Sequence, residues 1–327
     1  MTVQRTPLRP VRRVAVVGTG TIGASWAVQY LASGLDVIAT DPWPGAEARL
    51  RAYVDASWDA ATELGLAPGA SRDRLDFTSD TRAAVADADF VQENAPEILE
   101  EKITLFGELD AAAPVDAIIA SSSSGIAMSA IQSECGHPER TVIGHPVNPP
   151  HLIPLVEVVG GAKTSQGSVR DAIWFYASIG KRPIHLKKEI PGHVVNRLQA
   201  ALYREVVYLI GEEILDVADS DDAVSWGPGL RWGLMGPNLL WHLASGPRGI
   251  QGFMDKFIGP LAASWKALGN PGVTPQLKQT IVDGVLTEAA GRSIEELSAD
   301  RDSMLIALQR LRADHTKPPE PVGPPAV

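Results

Sequence analysis

Six residues near the start of the chain, Gly18-Thr19-Gly20-Thr21-Ile22-Gly23, have the types and spacing to hold a pyrophosphate. Gly18 permits a tight turn, Gly20 lets backbone approach the phosphates, and Gly23 allows a helix to pack closely on a strand. The N–H groups of Thr21 and Ile22, opening the helix that follows, add partial positive charge. Asp41 lies eighteen residues beyond Gly23. A carboxylate there can accept hydrogen bonds from both ribose hydroxyls and repels a 2′-phosphate, so the expected cofactor is NAD rather than NADP. The plainer reading is a glycine turn with Asp41 as a surface residue before Pro42, and the setting of strand, turn, helix, strand and acid argues against it.

Three later segments carry polar residues that a bare scaffold has no need of. They are Ser121-Ser-Ser-Ser-Gly-Ile126, then Gly144-His-Pro-Val-Asn-Pro-Pro150 with Leu155-Val-Glu-Val-Val159, and Pro191-Gly-His-Val-Val-Asn-Arg197. A histidine, with an unperturbed pKa of roughly 6.5, can take a hydroxyl proton near neutral pH. Such help is worth about 10²–10⁴ in rate. Singly, each residue also has a bland reading: His145 as a loop residue, Glu157 as an edge-strand charge, the serines as a flexible loop, Asn196 as a hydrogen bond near a helix start. The seven histidines form no H-x-x-x-H or Cys/His cluster, so no metal is expected.

The elements that must position these residues alternate. Arg13–Val17 is a β-branched run of the kind buried in a parallel sheet. A helical pattern follows over Ala24–Ser33, closed by Gly34, and a second apolar run over Leu35–Ala39 ends on Asp41. Residues 44–70 read as an inserted helical excursion. Further strands are expected at Leu75–Thr78, Phe90–Glu93, Ala117–Ser121, Thr141–Gly144 and Leu155–Val159, with helices such as Leu99–Ala112 and Ser165–Ile179 between them. That alternation predicts a Rossmann-type doubly wound α/β sheet over residues 1–188. From 189 to 316 only helical patterns appear, at about 193–217, 236–267, 274–290 and 293–314, so an all-helical C-terminal domain is expected. The proline-rich tail, 317–327, is expected to be disordered or polyproline-like.

Composition narrows the class. The chain has 327 residues, 45% of them apolar, and a formal net charge of −10. It is long enough for one or two domains with substantial cores. The acidic balance argues against nucleic acid. No apolar run is long enough to span a bilayer. Met1–Arg13 lacks the features of a secretory signal and Cys135 is the single cysteine, so a cytoplasmic location is expected.

Glycine turn, serine loop, His-x-x-Asn-Pro, Val-Glu-Val and Pro-Gly-x-x-x-Asn-Arg follow one another here in an order that resembles the 3-hydroxyacyl-CoA dehydrogenase family, from Arg13 to about residue 310. The resemblance implies a catalytic pair of His145 and Glu157, assisted by Ser124 and Asn196. It also implies that Glu97 and Lys102, in Asn94-Ala-Pro-Glu-Ile-Leu-Glu-Glu-Lys102, line the nicotinamide side of the cofactor. It further implies a homodimer paired through the helical domain.

Two motifs narrow the resemblance. The acyl-CoA enzymes have His-Phe-Phe-Asn-Pro and commonly Ser-Asn-Thr-Ser; here the residues are His145-Pro-Val-Asn-Pro149 and Ser121-Ser-Ser-Ser124. No lysine precedes Lys102, and the excursion offers only Arg49, Arg51, Arg72 and Arg74 for CoA phosphates. Gly227-Pro-Gly-Leu-Arg-Trp-Gly-Leu-Met-Gly-Pro237 is similar instead to the branch holding the dehydrogenases of L-carnitine and L-gulonate, and lambda-crystallin. L-Carnitine is the expected substrate, with L-gulonate or 3-hydroxybutyryl-CoA as alternatives, and a non-catalytic, crystallin-like NAD-binding protein as an alternative of another class. Aromatic faces hold a quaternary ammonium with about 0.5–2 kcal/mol each, and Trp232 and Phe253 are candidates among the aromatic residues after 225. Arg197 and Arg231 are candidates to pair a carboxylate.

Overall fold

The computed structural model describes residues 10–315, and the expected disordered tail lies outside the described residues. Contacts divide the chain into two compact units, with the division between Arg197 and Leu198.

The first unit is built on one eight-stranded sheet. Its elements in chain order are β1 (Arg13–Val17), α1 (Thr21–Ala32), β2 (Asp36–Thr40), α2 (Ala46–Leu64), β3 (Leu75–Thr78), α3 (Thr81–Val85), β4 (Phe90–Glu93), α4 (Leu99–Ala112), β5 (Ile118–Ser121), α5 (Met128–Ile131), β6 (Thr141–Pro146), β7 (Leu155–Gly160), α6 (Gln166–Ser178) and β8 (Arg182–His185). Strands run in the order β3-β2-β1-β4-β5-β6-β7-β8. The chain winds outward from β1 to β3, then returns to lay β4 on the other side of β1. That reversal opens a crevice beyond the carboxyl ends of β1 and β4, where doubly wound folds bind ligands.

Both faces of the sheet are covered, which is why inner strands such as β1, β5 and β7 are near-continuous apolar runs. On one side Trp26 and Tyr30 of α1 stack at 5.2 Å, and Phe90 meets Phe175 of α6 at 4.2 Å. On the other, Phe106 and Leu109 of α4 pack with Ile119 and Ile131. Replacing Trp26, fully buried in the first cluster, by alanine is expected to cost about 3–5 kcal/mol.

Two features depart from the expected sheet. β7 runs antiparallel to β6, while β8 is parallel to β7. β8 itself, at Arg182–His185, was not expected, because an edge strand of sequence Arg-Pro-Ile-His has no apolar face to signal it. The excursion after β2 is helical but shorter than 44–70; α2 ends at Gly65, whose φ of +106° a residue with a side chain rarely adopts.

Among its described residues the second unit has helices and no strand. It begins within α7 (Val195–Gly211) and continues through α8 (Val217–Val224), α9 (Leu230–Trp232), α10 (Pro237–Ala244), α11 (Gly249–Lys256), α12 (Ile258–Ser264), α13 (Pro275–Ala289) and α14 (Ile294–His315). The helix expected over 193–217 is therefore shorter, and a separate one follows it. α7 stops at Gly211, and α8 restarts on Asp216, whose side chain accepts the Asp219 N–H. The expected helix over 236–267 is broken by Gly246, Pro247 and Gly249.

Candidate active site

The cofactor cradle forms where β1 turns into α1. Gly18 has φ of +84°, and a Cβ there would lie 2.9 Å from the Asn94 carbonyl. A Cβ on Gly23 would stand 1.9 Å from the Gly18 oxygen, so the turn closes only on glycine. Gly20 differs: an added Cβ would meet nothing within 4 Å. Its backbone faces open space. α1 has no side-chain cap at Gly20 and no acidic residue in its first turn, so Thr21 and Ile22 present the uncompensated N-terminal end of the helix. Such a cradle fits a dinucleotide pyrophosphate.

Asp41, just beyond β2, shapes the same turn. Its Oδ2 accepts the Thr19 N–H at 2.8 Å and the Thr19 hydroxyl at 3.0 Å, while Oδ1 accepts the Trp43 N–H at 3.0 Å. An ionised carboxylate has about four acceptor directions, so one, on Oδ1, is left for a ribose hydroxyl.

A second cluster lies beyond β4 and β5. The Glu97 Oε1 accepts the Ser123 hydroxyl at 2.7 Å, the Ser124 N–H at 2.9 Å and the Gly125 N–H at 2.8 Å, and the Ser124 hydroxyl stands 3.5 Å away. Burial raises the Glu97 pKa, but these donors and the Lys102 charge outweigh it and hold the carboxyl below its ordinary range. The serine loop is thus wrapped round one carboxylate. Lys102, expected against the cofactor, is 1% exposed; its ammonium donates to Glu93 at 2.7 Å and to the Ala95 carbonyl at 3.0 Å. Glu93 also accepts the Ser121 hydroxyl. The structure therefore sets this lysine beneath the segment that carries Glu97.

The third cluster crosses from β6 to β7. His145 and Glu157 are register partners, with His145 Nδ1 2.8 Å from Glu157 Oε2. The other oxygen, Oε1, accepts the N–H groups of Val194 at 2.7 Å and Val195 at 3.1 Å, where α7 begins. Burial raises the Glu157 pKa, yet the hydrogen bonds from His145, Val194 and Val195 prevail, so it stays ionised well into acid. An ionised carboxylate can only accept, so Nδ1 of His145 carries the proton and Nε2 is left as the basic nitrogen.

Hydrogen bonds join the clusters. Asn196 Nδ2 donates to the Ser124 carbonyl at 3.4 Å, and His193 Nε2 donates to the Ser123 carbonyl at 3.0 Å. The His193 ring lies 5.1 Å from that of His145. Ser124, His145, Glu157, Asn196 and Glu97 thereby belong to one contact chain in the first unit. Below it, Lys181 is buried, with its ammonium on the carbonyls of Pro150 and Ile153 and over the Trp26 ring. Burial pulls its pKa down to about 7.

The substrate candidates fare differently. Arg197 is exposed at the start of α7. Arg231 and Trp232 are exposed in the second unit. Phe253, expected as a substrate contact, is 3% exposed and stacked on Trp241 at 4.7 Å, so its ring is committed to helix packing. Sequence reasoning missed His193, Ser123 and Glu93. The Gln92-Glu93-Asn94 run, three polar residues closing a buried strand, was the available signal for the last.

Two family profiles match the chain: the 3-hydroxyacyl-CoA dehydrogenase NAD-binding domain over residues 13–190, and the C-terminal domain of the same family over residues 192–287. The L-carnitine dehydrogenase of Streptomyces griseus is 49% identical over 300 residues, 92% of this chain and 90% of its own. That of Pseudomonas aeruginosa is 45% identical over 298 residues, 91% and 93% of the two chains. A solved structure of 5-formyl-3-hydroxy-2-methylpyridine 4-carboxylic acid 5-dehydrogenase, described as an NAD+-dependent dismutase, superposes with a TM-score of 0.80 at 32% identity, covering 92% of this chain and 98% of that one.

Proposed function

The chain belongs to the 3-hydroxyacyl-CoA dehydrogenase family, and from that premise we propose that it oxidises the 3-hydroxyl of L-carnitine to 3-dehydrocarnitine. It is an NAD-dependent dehydrogenase acting on a CH–OH group. The observation that carries the mechanism is the His145–Glu157 pair, set across two strands with Nε2 of the imidazole left free to accept.

Gly18, Gly20 and Gly23, with the amides of Thr21 and Ile22, would hold the pyrophosphate, and Asp41 would accept a ribose hydroxyl. Bound NAD supplies the acceptor for the hydride that leaves the carbinol carbon. His145 Nε2 takes the hydroxyl proton as the carbonyl forms, and Glu157 stabilises the resulting imidazolium from Nδ1. Ser124 and Asn196 hydrogen-bond the substrate oxygen and orient the carbon. In the reverse direction the imidazolium returns the proton to the oxygen.

Three observations support a small cationic hydroxy acid over a CoA thioester. The two quoted relatives are L-carnitine dehydrogenases that align with more than nine-tenths of this chain at 45–49% identity. Of the four arginines available for CoA phosphates, Arg51, Arg72 and Arg74 are paired with Glu47, Asp55 and Asp36, and Arg49 with the Pro44 carbonyl. The second unit also exposes Trp226, Trp232 and Trp265, aromatic faces of the kind that hold a quaternary ammonium.

We also propose a cytoplasmic homodimer that pairs through the second unit. Among the described residues no helix is long and apolar enough to cross a membrane. Leu239, Leu243, Leu286, Ile294 and Met304 of that unit are all exposed, an apolar burden that a partner surface would relieve.

Purified protein with NAD, offered L-carnitine, D-carnitine, L-gulonate, 3-hydroxybutyrate and its CoA thioester in turn, tests the substrate by NADH absorbance. L-Carnitine is expected to be turned over fastest. Turnover of L-gulonate but not carnitine rejects the substrate. Inertness toward the whole panel, with NAD still bound, favours the crystallin-like alternative.

A further inference from the structure

His193 has no part in the chemistry just described, yet it sits at its centre. Its side chain is 2% exposed and its ring centroid lies 5.1 Å from that of His145, tilted by 44°. Its backbone φ is +48°, in the left-handed region that residues with side chains seldom occupy. Gly192 before it has φ of +74°. This pair of left-handed residues turns the chain so that the next two amides, Val194 and Val195, converge on Glu157. A glycine at 193 would make the same turn without strain. The imidazole must therefore contribute something else.

Its two nitrogens say what. Nε2 donates to the Ser123 carbonyl at 3.0 Å, while Glu97 gathers the Ser123 hydroxyl and the Ser124 and Gly125 amides of the same loop. Nδ1 is buried and has no hydrogen-bond partner. As a lone pair it forgoes one acceptor bond; as an N–H of an imidazolium it would be an unmet buried charge. The ionisable groups that face it are His145 on β6, Glu157 on β7 and Glu97 ahead of α4. Burial dominates them and holds its pKa below the ordinary histidine value.

We propose that His193 is a positioning residue: its Nε2–H pins the serine loop beside His145, and its stranded Nδ1 locks the ring neutral, so that His145 alone takes the substrate proton. This rests on the reaction proposed above, because it assigns the proton to His145.

Four substitutions separate the hydrogen bond from the backbone. His193→Gln can place an amide donor where Nε2 stands. His193→Asn suits a left-handed backbone but reaches only as far as Nδ1. His193→Gly removes the strain together with the donor, and His193→Leu keeps bulk alone. If the donor matters, kcat falls about 10²-fold in the Gly, Asn and Leu variants, the loss typical of a displaced catalytic group, and stays within about fivefold of wild type in Gln. NAD affinity by calorimetry is unchanged in all four. A purely backbone role gives the opposite ranking, with Gly and Asn at least as active as Gln, and overturns the proposal.

Two readouts need no substrate. Amide exchange at Ser124 and Gly125 is expected to speed up in Gly, Asn and Leu but not in Gln. Imidazole ¹⁵N spectra of the wild type are expected to show His193 as the neutral Nε2–H tautomer at neutral pH, taking up a proton only below the ordinary histidine value. Unchanged exchange in the Gly variant, or a His193 that titrates at or above the ordinary histidine value, overturns the positioning role even in a protein inert toward every substrate offered. Inertness by itself rejects the proposed reaction and not this assignment.

Discussion

His145 and Glu157 stand directly opposite each other in the antiparallel β6–β7 ladder, with Nδ1 of the one 2.8 Å from Oε2 of the other. Their separation is set by strand register rather than by a loop. Glu157 is fully buried and carries two further backbone donors, so the carboxylate cannot swing away from the imidazole.

Removing either partner tests that relationship. In Glu157→Gln the amide oxygen can still accept from Val194 and Val195, but its NH2 then faces Nδ1 and forces the opposite tautomer, leaving Nε2 protonated. His145→Ala removes the base outright. Each is expected to lower kcat by about 10²–10⁴, with NAD affinity by calorimetry within about twofold. A Glu157→Gln enzyme of near-normal kcat would show that the tautomer does not matter.

Acid stability follows from the same carboxylates. Glu157 and Glu97 titrate below the ordinary value of 4.5 in the folded chain, so the stability they confer is complete above that value and is lost as pH falls through their folded values. Urea midpoints are expected to fall below about pH 4.5, and less steeply in Glu157→Gln, which has no proton to gain there. Equal slopes in the two proteins would mean that other groups govern the acid limb.

Gly20 and Gly23 separate binding from folding. A methyl group on Gly20 enters open space, so Gly20→Ala is expected to keep the wild-type melting temperature while weakening NAD by tenfold or more, roughly the 1.4 kcal/mol of one impaired phosphate contact. Gly23→Ala drives a Cβ into the Gly18 carbonyl and is expected to destabilise the turn itself. Calorimetry and thermal melts distinguish the two. Undiminished NAD affinity in Gly20→Ala would place the pyrophosphate elsewhere.

Asp41→Asn should weaken NAD by about 10- to 100-fold, the range for a charge-assisted hydrogen bond, while NADP, relieved of repulsion, loses less. The ratio of the two dissociation constants is the measurement. An unchanged ratio would restrict Asp41 to holding Thr19.

Leu286 and Leu239 are exposed on α13 and α10. The wild type is expected to sediment at twice its chain mass, and Leu286→Glu with Leu239→Glu to shift it toward one chain. A monomeric wild type at micromolar concentration would refute pairing through this unit.

Much of the frame was legible because it rests on local patterns. Leu75–Thr78 and Phe90–Glu93 are strands at the expected residues: Phe90 and Val91 open a fully buried inner strand, and Leu75 and Phe77 alternate with polar residues on an edge strand. β8 gave no such signal, and the reversed direction of β7 could not be read, because Leu-Val-Glu-Val-Val is equally apolar in either direction. Four consecutive serines are alike on paper. Only the fold distinguishes buried Ser121 on Glu93, Ser123 on Glu97 and exposed Ser124. His193 was visible inside a motif, but its contact with Ser123 depends on a left-handed backbone that sequence does not specify.

The connection from β6 to β7 can therefore vary in length only if both ladders keep step. Side chains alternate between the faces of a strand, so a slip of one residue would turn Glu157 away from His145 and seat Val156 or Val158 in its stead. Lys181, anchored on the carbonyls of Pro150 and Ile153, tethers that connection from the threshold of the neighbouring strand. An insertion between Val147 and Pro154 that shifted this register would disable the enzyme without altering any residue that touches the reaction.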